Sequence, residues 1–204
     1  MIKIYGPKLG SAFRCHVLMI ELGIAYEEVH VDFEKGEQFQ PEYLKLNPNG
    51  KIPCIVDGDF VLWESMAINN YLAVKFNSDL IGDSLEDKAL IDQWSYWSIL
   101  EVQPHLYTIA FQKFRVPEGE RDRKAIDKAM EALPGVLKIL DDHLEGKEYM
   151  LGDKFTLADI NVASVVMVAQ YAEYDYSSYK NIKRWMDKLN ERPSFEQIPF
   201  PIKK

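Results

Sequence analysis

The sequence predicts a chain in two parts, a small α/β domain on a mixed four-stranded sheet followed by an all-helical domain. Three observations lead to that class. Over residues 1–77, short β-branched runs alternate with helical periods. An Asp57-Gly58 turn separates two apolar runs, which is a hairpin signature. Beyond residue 85 the strand signals stop and apolar residues recur at helical spacing.

Each element of the first part has its own cause. Ile2-Lys3-Ile4-Tyr5 is a short β run that Gly6-Pro7 stops. A helix is expected from near Ser11, with Val17, Leu18, Ile20 and Leu22 as apolar residues and Gly23 as its end. Tyr26 to Val31 has the β-branched content of a second strand. Pro41 to Leu46 holds one or two helical turns before the dense turn signal Asn47-Pro48-Asn49-Gly50. Pro53 to Val56 and Phe60 to Leu62 are the arms of the hairpin. From Glu64 the period becomes helical, with Met66, Ile68, Leu72 and Ala73, and Tyr71 among them, on the buried side. Strands joined by a helix should run parallel through a right-handed crossover, and the hairpin must be antiparallel.

Asn77 to Ser84 is rich in Asn, Ser, Asp and Gly and is the expected linker. The domains are therefore placed at 1–77 and 86–204, with residues 78–85 between them. Helices are expected near 86–114, 122–145, 156–172 and 179–191. Thr156-Leu157-Ala158-Asp159 reads as a helix-capping box, Thr156 capping and Asp159 returning a bond to the Thr156 backbone. That carboxylate is assigned to folding.

Composition narrows the function classes. The chain has 204 residues, 47% of them hydrophobic, which is enough for a packed core. Its net charge of -8, with no Lys/Arg run, argues against a nucleic-acid partner. Cys15 and Cys54 are too few for a disulfide framework or a zinc site, and the four histidines lack metal-ligand spacing, so no metal is expected. Free cysteines are usually buried and inert, and no Cys-x-x-Cys is present. The amino terminus lacks the features of a signal peptide, and no apolar run reaches membrane-spanning length. A cytoplasmic protein without a membrane partner is the expectation.

The chemistry-bearing stretch is Asn47-Pro48-Asn49-Gly50-Lys51-Ile52-Pro53-Cys54-Ile55-Val56-Asp57-Gly58, continuing to Leu62-Trp63-Glu64-Ser65-Met66-Ala67-Ile68. It resembles the glutathione S-transferases, whose thioredoxin-like domain carries N-P-x-G-x-[IV]-P, an apolar strand, a D-G hairpin and then E-S-x-A-I. Phe155-Thr156-Leu157-Ala158-Asp159-Ile160 resembles the family's second-domain signature. The likeness thus spans most of the chain, toward serine-type members of the bacterial, theta and phi kinds. It implies a thioredoxin-like N-terminal domain and a helical-bundle C-terminal domain.

The resemblance also implies a set of glutathione contacts. It implies a cis Ile52-Pro53 bond, although an ordinary trans proline opening a strand is the common case. Ile52 would then pair its main chain with the cysteinyl segment of glutathione by strand addition. Ser65 at a helix start can cap that helix or hold the γ-glutamyl carboxylate, and Glu64 would accept from the α-ammonium. Lys51 and Gln38 match positions that contact the peptide, Gln38 at the glycyl end; both also read as solvated surface residues.

Transferases of this family activate the thiol with Tyr, Ser or Cys near the first strand–helix junction. Ser11 is the sole hydroxyl or thiol between Tyr5 and Cys15 and is the candidate catalytic residue. Counted forward from Tyr5, the family's serine falls at Gly10; counted backward from Gly23, it falls at Leu9 or Ser11. Ser11 as a helix N-cap is the alternative. Arg14 either adds positive potential or is an exposed first-turn arginine, and Tyr5 is expected in the core. Tyr107 and Phe111, one helical turn apart, are candidate walls of a second-substrate site between the domains, or core residues.

The implied function is glutathione transfer: glutathione, a co-substrate rather than a cofactor, is activated as a thiolate and conjugated to a small, largely apolar electrophile. Detoxification and a homodimer are the family's habit. The alternatives are a glutathione-dependent peroxidase and a non-catalytic binding or assembly module on the same fold.

Overall fold

The computed structural model describes residues 1–197 and divides the chain into two compact units, Met1–Ile81 and a second beginning at Gly82. In the first unit β1 (Ile2–Tyr5) pairs in parallel with β2 (Tyr26–Val29) and antiparallel with β3 (Cys54–Asp57). The hairpin partner β4 (Phe60–Trp63) lies antiparallel on β3, giving the strand order β2-β1-β3-β4. The helix joining β1 to β2 is α1 (Gly10–Glu21), and α3 (Ser65–Lys75) follows β4. A single turn of 3-10 helix at Glu37–Phe39 leads into the short α2 (Pro41–Leu44).

Strand alternation divides the core between two faces. Tyr5 sits opposite Cys54, and this face packs on Val31, Tyr43 and Leu46 around α2. Ile4 sits opposite Ile55 and points the other way; both are fully buried. On that side α3 lies against β3 and β4, and α1 packs along α3. Tyr5, expected in the core, is only half-buried, with its ring edge-on to Tyr43 at 6.1 Å. The second strand stops at Val29, two residues short of the expected Val31, yet Val31 is buried in the α2 cluster.

The second unit is helical among the described residues. Its helices are α4 (Leu85–Trp97), α5 (Gln103–Phe114), α6 (Arg123–His143), α7 (Leu157–Val166), α8 (Val168–Ala172), α9 (Lys180–Asn190) and α10 (Pro193–Glu196). The single helix expected over 86–114 is divided by a π-helical turn at Ser98–Val102. Pro104 explains the break: it has no N–H to donate and its ring crowds the carbonyl four residues back. Helix α7 is buried along its whole length. No helix is long and apolar enough to cross a membrane.

Two capping boxes fix helix starts in this unit. Ser84 Oγ accepts from the Asp87 N–H at 2.9 Å, and Asp87 Oδ2 accepts from the Ser84 N–H at 3.2 Å. The Asp159 carboxylate accepts from the Thr156 N–H at 2.9 Å, as expected of the box. It also accepts from the Thr156 hydroxyl at 3.2 Å, the Met150 N–H at 2.8 Å and Trp185 Nε1 at 2.8 Å. Burial pushes Asp159 up to about 6, outweighing the pull of its donors.

Candidate active site

Ile52 and Pro53 lie just before β3, Glu64 and Ser65 lie where α3 starts, and Ser11 follows the end of β1 at the start of α1. Gly6, at φ +133°, takes a backbone conformation that suits glycine, and a side chain there would be tightly crowded. A Cβ there would lie 3.1 Å from Ile52 Cβ and 3.3 Å from Ala12 Cβ. The junction that carries Ser11 is thus pressed against Ile52. The Ile52-Pro53 peptide is cis, and β3 starts only at Cys54, so Ile52 stands outside the ladder. Tyr43 Oη and Asn47 Nδ2 both donate to the Lys51 carbonyl, at 2.6 and 2.7 Å, and so hold the segment before Ile52 in place.

His16, one of the four histidines without metal-ligand spacing, braces the same junction. Its Nε2 donates to the Gly6 carbonyl at 3.1 Å, which leaves Nδ1 to accept from Tyr26 Oη at 3.1 Å. Burial lowers its basicity, in keeping with a neutral ring in that bonding pattern.

Ser11 is the second residue of α1, and it is partly exposed. It is not the N-cap: Leu9 takes that place, in extended backbone and with no side-chain capping bond. Gly10, the first residue of α1, has φ +57°, and the helix starts one residue ahead of the expected position.

Ser65 is not a cap either. It is the first residue of α3, only 6% exposed, and Glu64 is the N-cap, again without a side-chain capping bond. Glu64 has φ +73°, a left-handed conformation that a non-glycine residue adopts at a cost of about 1–3 kcal/mol. That turn swings the chain from β4 into α3 and leaves Glu64 exposed. The first N–H groups of α3 have no side-chain cap and point outward from the helix end.

Three further expectations are corrected here. Arg14 is not an exposed arginine: it is 2% exposed, with Nη1 donating to Ser65 Oγ at 3.3 Å. Gln38 is not a solvated surface residue: it is buried, and its Oε1 has no hydrogen-bond partner among the described residues. The turn at Gly50 holds that segment closely, since a Cβ on Gly50 would meet the Phe39 ring at 2.8 Å and the Gln38 carbonyl at 3.2 Å. Tyr107 and Phe111, on α5 of the second unit, are not core: they are 57% and 49% exposed. Lys51 is exposed and Pro53 buried. Both cysteines are fully buried, and burial pushes the thiols of Cys15 and Cys54 up to about 12 and about 11. Neither supplies a thiolate at neutral pH.

A mixed sheet bearing a buried serine at an uncapped helix start, beside a cis-proline segment, agrees with what comparison finds. The N-terminal domain model of the glutathione S-transferases matches residues 4–74, and their C-terminal domain model matches residues 100–193. The chain belongs to the glutathione S-transferase family, and it is an enzyme of that class. Among its relatives, glutathione S-transferase F9 of Arabidopsis thaliana is 34% identical over 97% of this chain and 95% of its own. Glutathione S-transferase 1 of Zea mays is 34% identical over 99% of this chain and 97% of its own. Among solved structures, the theta class enzyme of Xanthomonas axonopodis pv. citri, with glutathione bound, superposes with a TM-score of 0.90. It is 29% identical and covers 98% of this chain and 97% of its own.

Proposed function

We propose that this transferase binds glutathione along the edge formed by α1, the Ile52-Pro53 segment and α3, and conjugates its thiolate to a small, largely apolar electrophile. The start of α3 carries this reading. Its free N–H groups and the Ser65 hydroxyl suit the γ-glutamyl carboxylate, and the exposed Glu64 suits the neighbouring ammonium. The Ile52 backbone pairs with the cysteinyl segment, Lys51 lies beside it, and the unpartnered Gln38 Oε1 accepts an N–H near the glycyl end. This places the sulfur at the N-terminus of α1, where the Ser11 hydroxyl donates to it and keeps it ionised.

Tyr107 and Phe111 contribute apolar walls for the second substrate, a role that their exposure supports. The enzyme works in the cytoplasm as a homodimer, and conjugation there disarms electrophiles. Calorimetry with glutathione tests the anchor. Ser65→Ala should lose on the order of 1.5–3 kcal/mol of binding, the worth of a hydrogen bond to a charged group. Unchanged affinity rejects the assignment.

A further inference from the structure

Arg14 is a buried cation that the roles assigned above leave without a use. Taking a guanidinium out of water is costly unless its N–H groups are bonded and its charge is employed. Its Nη1 reaches the first two residues of α3, Ser65 Oγ at 3.3 Å and Met66 Sδ at 3.6 Å. A guanidinium has donors only, so Ser65 Oγ accepts, and the hydroxyl's own proton is turned away from Arg14. That proton has no acceptor among the described residues.

Two cross-links set the distance between α1 and α3. Asn69 Nδ2 donates to the Arg14 carbonyl at 3.3 Å, and the Cys15 thiol donates to the Ser65 carbonyl at 3.6 Å. Burial lowers Arg14 to about 10, opposed by Cys15 and Glu64, so the guanidinium is still charged at neutral pH. A fixed positive charge and the positive end of the α3 dipole therefore stand behind one hydroxyl.

We propose that Arg14 is a positioning residue for the γ-glutamyl carboxylate: acting through Ser65, it fixes that hydroxyl as a donor and makes the start of α3 select an anion. This rests on the reading that Glu64-Ser65 holds the γ-glutamyl end. The test compares two ligands, glutathione and 4-aminobutanoyl-cysteinyl-glycine, which is glutathione with hydrogen in place of that carboxylate. Both are titrated into the full chain, Arg14→Met, Arg14→Lys, Ser65→Ala and the double variant Arg14→Met/Ser65→Ala.

Arg14→Met should weaken glutathione about tenfold or more while changing the analogue by less than about twofold. In the Ser65→Ala background the same change should cost glutathione much less, because the hydroxyl through which Arg14 acts is gone. Arg14→Lys should recover part of the loss, since it keeps the charge and gives up the fork. Equal losses for the two ligands would make Arg14 a packing residue and overturn the proposal. Should Arg14→Met not fold, Arg14→Lys measured against both ligands decides by the same criterion. An unaltered chain that binds the two ligands equally overturns the carboxylate anchor itself, and the proposal with it.

Discussion

Ser11 stands second in α1, partly exposed, where its hydroxyl and the first backbone N–H groups of the helix can face the same atom. Because Leu9 is the N-cap, capping does not account for this serine. Ser11→Ala should therefore raise the pKa of bound glutathione's thiol by about one unit, about 1.4 kcal/mol of differential stabilisation. Affinity should change much less, since Ser65, Glu64 and the Ile52 backbone do most of the holding. Thiolate absorbance titrated in the two complexes reads the shift, and turnover of an aryl halide at neutral pH should fall with it. Superimposable titrations and equal rates would assign the thiolate to the backbone N–H groups around Gly10. The cysteines offer no substitute, because burial keeps both protonated.

Among the elements, α7 depends on one carboxylate. Asp159 collects four donors from Met150, Thr156 and Trp185, and so ties the start of α7 to the preceding loop and to α9. Its folded pKa of about 6 lies above the ordinary 3.8, so the folded state holds this proton more tightly than the unfolded chain does. The stability that results is complete below about pH 4, falls as pH rises and is gone above about pH 6. Asparagine at this position cannot titrate, and it turns an amide N–H₂ toward donors. Asp159→Asn should destabilise the protein at every pH, and the loss should shrink by about 2 kcal/mol between pH 4 and 6.5. Urea unfolding of both proteins across that range checks the sign; a penalty that grows with pH would mean that the four donors, not burial, dominate.

For the whole molecule, the homodimer is the expectation that bears on assembly. The first unit leaves Phe60, Val74 and Phe76 between 42% and 60% exposed, apolar surface that a second copy can cover. Light scattering at micromolar concentration should report twice the 23.6 kDa chain mass. A monomer throughout that range would separate this chain from the family's habit. The net charge of -8 keeps either form soluble.

What the sequence by itself determined is local. The order of strands and helices, the Asp57-Gly58 hairpin and the Thr156–Asp159 box each follow from spacing within a few residues. The motif residues Ile52, Pro53, Glu64 and Ser65 were legible for the same reason, because one continuous stretch carries them. Even the break at Ser98–Val102 had a local sign in Pro104, which the helical periodicity around it obscured. Tertiary structure decided how deeply each charged or polar group is buried, and therefore what it can do. Sequence left two readings for Arg14 and Gln38, functional or solvent-facing, and two for Tyr107 and Phe111, pocket wall or core; the structure buries the first pair and exposes the second. The physical reason is distance along the chain. Arg14 is dehydrated by Ser65 and Met66, more than fifty residues away, and no periodicity or composition near position 14 reports that they will be there.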